Sequence, residues 1–422
     1  MHILLLSDNF PPETNAPATR GFEHARVWVR RGHRVTVVTC APNFPEGRVY
    51  AGYANRWYQR ERMDGVDVVR VKTFIAANRG FGARTLDYLS FCATGTAGAL
   101  VQDRPDVVVA TSPQFFCAVA GWLTAALRRR PFVFELRDLW PESIQAVGAM
   151  RPSLALRALE RLELFLYRRA SRVVAVTESF RENLASRGID AGKIEVVRNG
   201  VDLSRYAPRP KDERLAAEFG LAGKFVVGYL GTHGMAHALE RVLEAANTLR
   251  ERSDVHFLFV GAGAAREQLV ARARELALPN VSFHGSVPKD DMPRVWSLCD
   301  LGLVHLRRAE TFAGVIPSKI FECFGIGVPV LYCGPDGEGA RIVRDARAGV
   351  TLPAEEPEAL ARAVVDLCAD RAQLMALSRA ARTAAPLYDR ERNAERMLDV
   401  LLDAAGARRE IRAAEASSRR AA

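Results

Sequence analysis

Leu301-Gly302-Leu303-Val304-His305-Leu306, a polar loop, Pro317-Ser318-Lys319-Ile320-Phe321-Glu322, and then Val328-Pro329-Val330-Leu331-Tyr332: this run decides the fold. The first segment reads as a short, continuously apolar strand. The second opens a short helix that ends at Gly325 and Gly327, where glycine leaves the helix easily. The third is a new strand. Apolar strands without alternation are buried on both faces, the pattern of a parallel sheet covered by helices. Such sheets bind ligands outside the carboxyl ends of their strands, where Pro317–Glu322 falls. Free N–H groups and the dipole at a helix start favour an anion such as phosphate. Lys319 adds a positive charge there, and Glu322, one turn in, can accept two hydrogen bonds from a vicinal diol. A cation for a diphosphate and a carboxylate for a ribose describe a nucleotide-sugar site. The plainer reading makes Ser318 an ordinary N-cap beside a solvated lysine and glutamate.

The same alternation runs outward in both directions. Apolar, β-rich runs lie at Ile3–Leu6, Val35–Thr39, Val107–Ala110, Phe132–Glu135, Val173–Val176 and Ile194–Val197. Helical patterns at Thr19–Arg31, Leu154–Arg169 and Ser179–Arg187 fall between some of them. Val66–Val71 follows the turn signal Asp64-Gly65 and reads as part of a hairpin or a short strand. A Pro- and Arg-rich connector follows Tyr206, and a second series begins: Phe225–Leu230, Val255–Val260, Val281–His284, Leu301–Leu306 and Val328–Tyr332. The class is α/β, with two Rossmann-like, doubly wound domains facing across a cleft. The expected boundaries are 1–204, 205–385 and a C-terminal helix with an Ala/Arg-rich tail over 386–422, the helix packing back on the first domain.

Three more turns in the second series end strands. Gly231-Thr232-His233-Gly234 follows the first and opens a helix around His237–Leu249; its glycines let backbone N–H groups approach a diphosphate. Gly261-Ala262-Gly263 and Gly285-Ser286-Val287-Pro288 follow the next two and can bring backbone against a flat base. Each alone is an ordinary turn; together with Pro317–Glu322 they give Gly231, Thr232, His233, Gly234, Gly261, Gly263, Val287, Ser318, Lys319 and Glu322 as the donor-binding set. In the first series, Glu135-Leu136-Arg137-Asp138-Leu139-Trp140-Pro141-Glu142-Ser143 ends a strand with three carboxylates and an arginine. Glu135, Arg137 and Asp138 join Lys319 as catalytic candidates. The bland alternative is an Arg137–Asp138 surface pair of small energetic weight.

Composition narrows the classes. With 422 residues, 49% hydrophobic and 26% charged, the chain has material for two or three folded domains. The net charge of +10 suits anionic partners, but no zinc finger or aromatic-basic RNA motif is present, so nucleic acid is not expected. The loop after the first strand, Ser7 to Arg20, lacks G-x-G-x-x-G, which argues against a nicotinamide enzyme. Seven dispersed cysteines read as reduced core residues of a cytosolic protein. No His/Cys/carboxylate cluster has metal spacing. No stretch approaches the ~20 apolar residues of a spanning helix, so any membrane contact is expected to be peripheral.

With these residues in view, the chain resembles a family-4 glycosyltransferase of the GT-B fold over nearly its whole length. The marks are Phe10-Pro11-Pro12-Glu13 with Ala16-Pro17-Ala18-Thr19-Arg20; Arg31-Gly32-His33; Pro42-Asn43-Phe44-Pro45-Glu46-Gly47; the Glu135–Ser143 run; Asn199-Gly200-Val201-Asp202; Gly231–His237; and Ile316–Glu322. The last two resemble the fucosaminyltransferase-like branch of bacterial O-antigen or capsule synthesis. The resemblance implies retaining transfer from a nucleotide-activated sugar, UDP-linked and N-acetylated amino or deoxyamino in type, with no bound metal and no cofactor beyond the donor itself. The implied acceptor is a glycan or a polyprenyl-diphosphate-linked sugar, at the cytoplasmic face of the plasma membrane. Glu322 matches the second glutamate of the family's E-x7-E motif. The first is replaced by Gly314, and the diphosphate-binding Arg and Lys after the first strand of the second domain are absent, with Thr232, His233 and His237 in that region. Lys319 is then expected to carry much of the cationic role.

Two other functions fit the same donor site. A GT-B nucleotide-sugar epimerase needs no acceptor, and a non-catalytic nucleotide-sugar-binding subunit needs no chemistry. For membrane contact, Arg79 to Leu100 is Arg-bearing and partly apolar, with Phe81, Leu86, Tyr88, Leu89 and Phe91; one face can meet lipid while arginines meet anionic headgroups. Read plainly, the stretch is a core-facing helix.

Overall fold

Parallel strands alternating with helices build both halves of the chain, as the apolar runs require. The computed structural model describes residues 1–44, 46–76, 81–139 and 154–406. Two units emerge: residues 1–199 with those from Glu391 onward, and Gly200–Arg390.

The first unit runs β1 (His2–Leu6), α1 (Ala16–Arg30), β2 (Arg34–Cys40), β3 (Tyr58–Met63), β4 (Val66–Val71), α2 (Phe81–Leu100), β5 (Val107–Thr111), α3 (Phe115–Arg128), β6 (Phe132–Leu136), α4 (Leu154–Arg169), β7 (Arg172–Ala175), α5 (Glu178–Ser186) and β8 (Ile194–Val196). The strand order is β3-β4-β2-β1-β5-β6-β7-β8. Every pairing is parallel except β3 with β4. That hairpin turns on Asp64 and Gly65, both at positive φ, the geometry that Asp-Gly favours.

The second unit runs α6 (Glu213–Glu218), β9 (Phe225–Leu230), α7 (Glu240–Thr248), β10 (Val255–Val260), α8 (Arg266–Glu275), β11 (Val281–His284), α9 (Met292–Trp296), β12 (Leu301–His305), α10 (Lys319–Ile326), β13 (Val330–Cys333), α11 (Glu338–Asp345), β14 (Gly349–Leu352), α12 (Pro357–Ala369) and α13 (Arg371–Ala384). Its sheet is wholly parallel, in the order β11-β10-β9-β12-β13-β14. The order reverses between β9 and β12. Crossovers therefore leave on opposite faces there, and the loops after these two strands flank the crevice.

Both sheets are α/β and Rossmann-like, as the sequence indicates. The helix expected around His237–Leu249 starts later, at Glu240. A 3-10 turn over Met235–His237 comes first, and Ala238 at φ 41° breaks the path between them. The unit's entry and exit meet: Val201 N donates to Tyr388 O at 2.9 Å and Arg390 N donates to Val201 O at 3.0 Å. From there α14 (Arg390–Ala404) packs into the first unit. Its Met397, Leu398 and Leu401 share a core cluster with Ile3, Leu5 and Trp28, and Trp28 Nε1 donates to Ala394 O at 2.9 Å. Among the described residues no helix is long and apolar enough to cross a membrane.

Candidate functional site

At the β9/β12 crevice the second unit gathers most of its candidate residues. α10 starts at Lys319, and Ser318 is exposed, in helical conformation, with no side-chain capping bond. Ile320 N turns back to Pro317 O, and Phe321 N and Glu322 N both reach Ser318 O. The N–H groups of Ser318 and Lys319 have no partner among the described residues.

Lys319 itself is not solvated. It is 8% exposed, and its Nζ stands 3.5 Å from the centroid of the Tyr229 ring. No carboxylate lies within ion-pair distance of it among the described residues. Burial pushes its amino group down to about 7, against the weaker upward pull of Glu322 and Cys323. One turn on, Glu322 is half-buried, and Trp296 Nε1 donates to its Oε2 at 3.0 Å. That bond fixes the carboxylate and leaves Oε1 without a partner among the described residues. The plain reading of Ser318, Lys319 and Glu322 as a cap with two solvated charges does not hold for the lysine.

The glycines after β10 have a packing role besides the one expected. A side chain on Gly261 (φ 144°) would meet the Gly231 carbonyl carbon at 2.9 Å, and one on Gly263 (φ 150°) the His233 carbonyl carbon at 2.7 Å. They allow the two loops to touch: His233 N donates to Ala262 O at 2.8 Å, and Ala265 N to His233 O at 2.9 Å. Thr232 is exposed, and its carbonyl accepts from the Tyr229 hydroxyl at 2.8 Å. Gly234 precedes the 3-10 turn. Val287 is partly buried against the core, in an otherwise exposed loop.

His233, expected among the donor contacts, is fully buried. Its ring packs against Tyr229, Phe259 and Phe283, and neither ring nitrogen has a partner among the described groups. Burial, then Lys319 and Arg266, hold it down to about 4, so it is neutral at neutral pH. His237 and His305 form a reciprocal pair, with His237 Nδ1 3.2 Å from His305 O and His305 Nδ1 2.7 Å from His237 O. A carbonyl only accepts, so each Nδ1 carries the proton. His237 is also held down to about 4, by burial and then Lys319.

The remaining candidates belong to the first unit. Glu135, on β6, is 4% exposed and accepts from Arg20 Nε at 2.8 Å. Arg20 donates in addition to the carbonyls of Arg198 and Val197. Burial alone would raise the Glu135 carboxyl; Arg20, with Arg137 and His24, reverses this and holds it at about 2. Buried and paired, Glu135 holds Arg20 and through it the loop that ends this stretch of the unit. Arg20, its partner, was quoted only as part of a motif. Arg137 and Asp138 follow half-buried, and Arg137 N donates to Ser112 Oγ at 2.7 Å. Trp140-Pro141-Glu142-Ser143 lies outside the described residues. Among the described residues no group of three or more His, Cys, Asp or Glu is placed to hold a metal ion.

Residues 17–200 match the profile of the glycosyl transferase 4-like domain, and residues 224–370 that of glycosyl transferases group 1. The chain is 25% identical to WcaI of Escherichia coli (strain K12), described as a colanic acid biosynthesis glycosyl transferase, over 78% of this chain and 82% of that protein. It is 28% identical to a GDP-mannose-dependent alpha-mannosyltransferase of Mycolicibacterium smegmatis, over 88% and 90%. Among solved structures, Anabaena Alr3699/HepE in complex with UDP and glucose superposes with a TM-score of 0.69 at 20% identity, covering 94% of this chain and 98% of that one. Matched in both halves by glycosyltransferase profiles and sharing their two-sheet architecture, the chain belongs to the family-4-type glycosyltransferases of GT-B fold.

Proposed function

We propose that the chain transfers a sugar, with retention, from a nucleotide-diphosphate donor to a glycan or polyprenyl-diphosphate-linked acceptor in cell-surface polysaccharide synthesis. A UDP-linked, N-acetylated amino or deoxyamino sugar is the first reading of the donor, in the fucosaminyltransferase-like branch. A GDP-linked hexose is the second, favoured by the mannosyltransferase relative. The observation that carries the proposal is Lys319, buried at the start of α10 with no counter-ion among the described residues, one turn from a carboxylate that Trp296 holds still. In this reading the diphosphate lies against Lys319 and the N–H groups of Ser318 and Lys319, and Glu322 Oε1 accepts from the ribose. Negative charge grows on the leaving diphosphate as the glycosidic bond stretches, and a fixed positive field there lowers the barrier. Asp138 and Arg137 orient the acceptor or the donor sugar.

The test is product analysis by mass spectrometry with UDP-N-acetylglucosamine or GDP-mannose and a polyprenyl-diphosphate glycan. Transfer only when acceptor is present separates a transferase from an epimerase, which turns over donor alone. Glu322→Ala is expected to lose about 1.5–3 kcal/mol of donor binding, the worth of hydrogen bonds to a charged group. Lys319→Met is expected to lose nucleotide affinity and, in addition, kcat, because the charge it answers is present in the bound diphosphate and grows in the transition state. Near-wild-type kinetics in both variants would sink the site.

A further inference from the structure

Buried lysines normally sit against a carboxylate or shed their charge. Lys319 has no such carboxylate among the described residues. Its neighbours on α10 are Glu322, tied to Trp296, and Cys323. From the loop after β9 it faces His233 and His237, and from β12 His305, all three rings pushed down by burial and by its charge. Gly231, with no side chain, lies beside Nζ. Among the described residues the group packed directly on the ammonium is the face of Tyr229, itself fixed by its hydroxyl bond to Thr232 O. A ring face attracts a cation without neutralising it.

We propose that Tyr229 is the positioning residue for Lys319, holding its amino group at the start of α10 so that the phosphate of a bound nucleoside diphosphate supplies the missing counter-charge. The inference rests on the donor site proposed above. It has a chemical consequence. With its amino group near 7 in the free protein, Lys319 is only partly protonated at neutral pH, and an arriving diphosphate draws a proton from solvent onto Nζ. Nucleotide affinity then falls as pH rises above 7.

The test is calorimetric titration with UDP and with GDP, at pH 7.5, in two buffers of different ionisation enthalpy. The wild type is expected to take up a fraction of a proton on binding. Lys319→Arg, always charged, is expected to bind without uptake. Tyr229→Phe keeps the ring face and is expected to stay within twofold of wild type. Tyr229→Leu removes the face and is expected to weaken binding about five- to thirtyfold and to move the pH dependence to lower pH. In a Lys319→Met background the same Tyr229→Leu change is expected to cost less than twofold. An equal penalty in both backgrounds would show that Tyr229 only fills the core, and would overturn the inference. So would nucleotide binding that Tyr229→Leu leaves unchanged. If the wild type binds neither nucleotide, the donor site falls and this inference falls with it.

Discussion

Single residues carry most of this protein's unusual electrostatics. Glu135 is held near 2 while a free glutamate titrates near 4.5. A depressed carboxyl contributes stability above its unfolded value and loses it as pH falls toward the folded value, here between about 4.5 and 2. The term is worth about 3 kcal/mol at neutral pH. Glu135→Gln is therefore expected to lose about that much in urea unfolding at pH 7, and the gap to wild type is expected to narrow below pH 4.5. A gap that stays constant down to pH 3 would contradict the ion pair. The sequence shows Glu135 at a strand end among charges, and that much was legible. Arg20 stands 115 residues away, Tyr229 sits inside an apolar run, and Trp296 sits in a short mixed stretch where nothing sets it apart from core. Partnerships made by folding leave no local spacing to read.

At the scale of elements, the sheets were legible wherever both faces of a strand are covered. All the continuous apolar runs became strands close to their expected limits. β3 enters the sequence reading only as the undelimited partner of the hairpin alternative for Val66–Val71, and β14 does not enter it. Tyr58–Met63 alternates half-buried and exposed residues and is largely charged, and Gly349–Leu352 is a short, half-buried edge strand. These two edge strands, unlike β8 and β11, carry too little apolar signal because water reaches one side of them. The loops tell a similar story. Glycine after a strand reads as room for a ligand; Gly261 and Gly263 also make room for the neighbouring loop, which spacing alone does not show. Gly263→Ala puts a methyl group against the backbone of His233 at a φ that suits only glycine. It is expected to destabilise the second unit by about 1–3 kcal/mol and to displace the turn that flanks Lys319. Equilibrium denaturation followed by UDP titration checks both; unchanged stability would show that the loops part at no cost.

Across the whole molecule, the net charge of +10 and the surface of α2 bear on where the chain works. Phe91 is in the core and Tyr88 half-buried, so the amphipathic face is split, but Leu86 and Leu89 are exposed and Phe74 lies exposed nearby, its N–H donating to Ser90 Oγ. Arg84 donates to the Tyr88 hydroxyl on the same helix. Arg79 lies outside the described residues. Peripheral attachment through this face predicts co-sedimentation with anionic vesicles at low salt, release at high salt as the attraction is screened, and loss on Leu86→Glu with Leu89→Glu. Equal recovery in the supernatant with anionic and neutral vesicles at every salt level would refute it. The closing of α14 onto Ile3, Leu5 and Trp28 has a consequence for biosynthesis. A ribosome delivers β1 first and its covering helix only after the entire second unit has been made. The Gly200–Arg390 segment, whose ends meet at Val201 and Tyr388, needs nothing beyond its own last residue to join those ends. The half made first is thus finished last, and until α14 emerges the Trp28 indole N–H lacks its acceptor on Ala394.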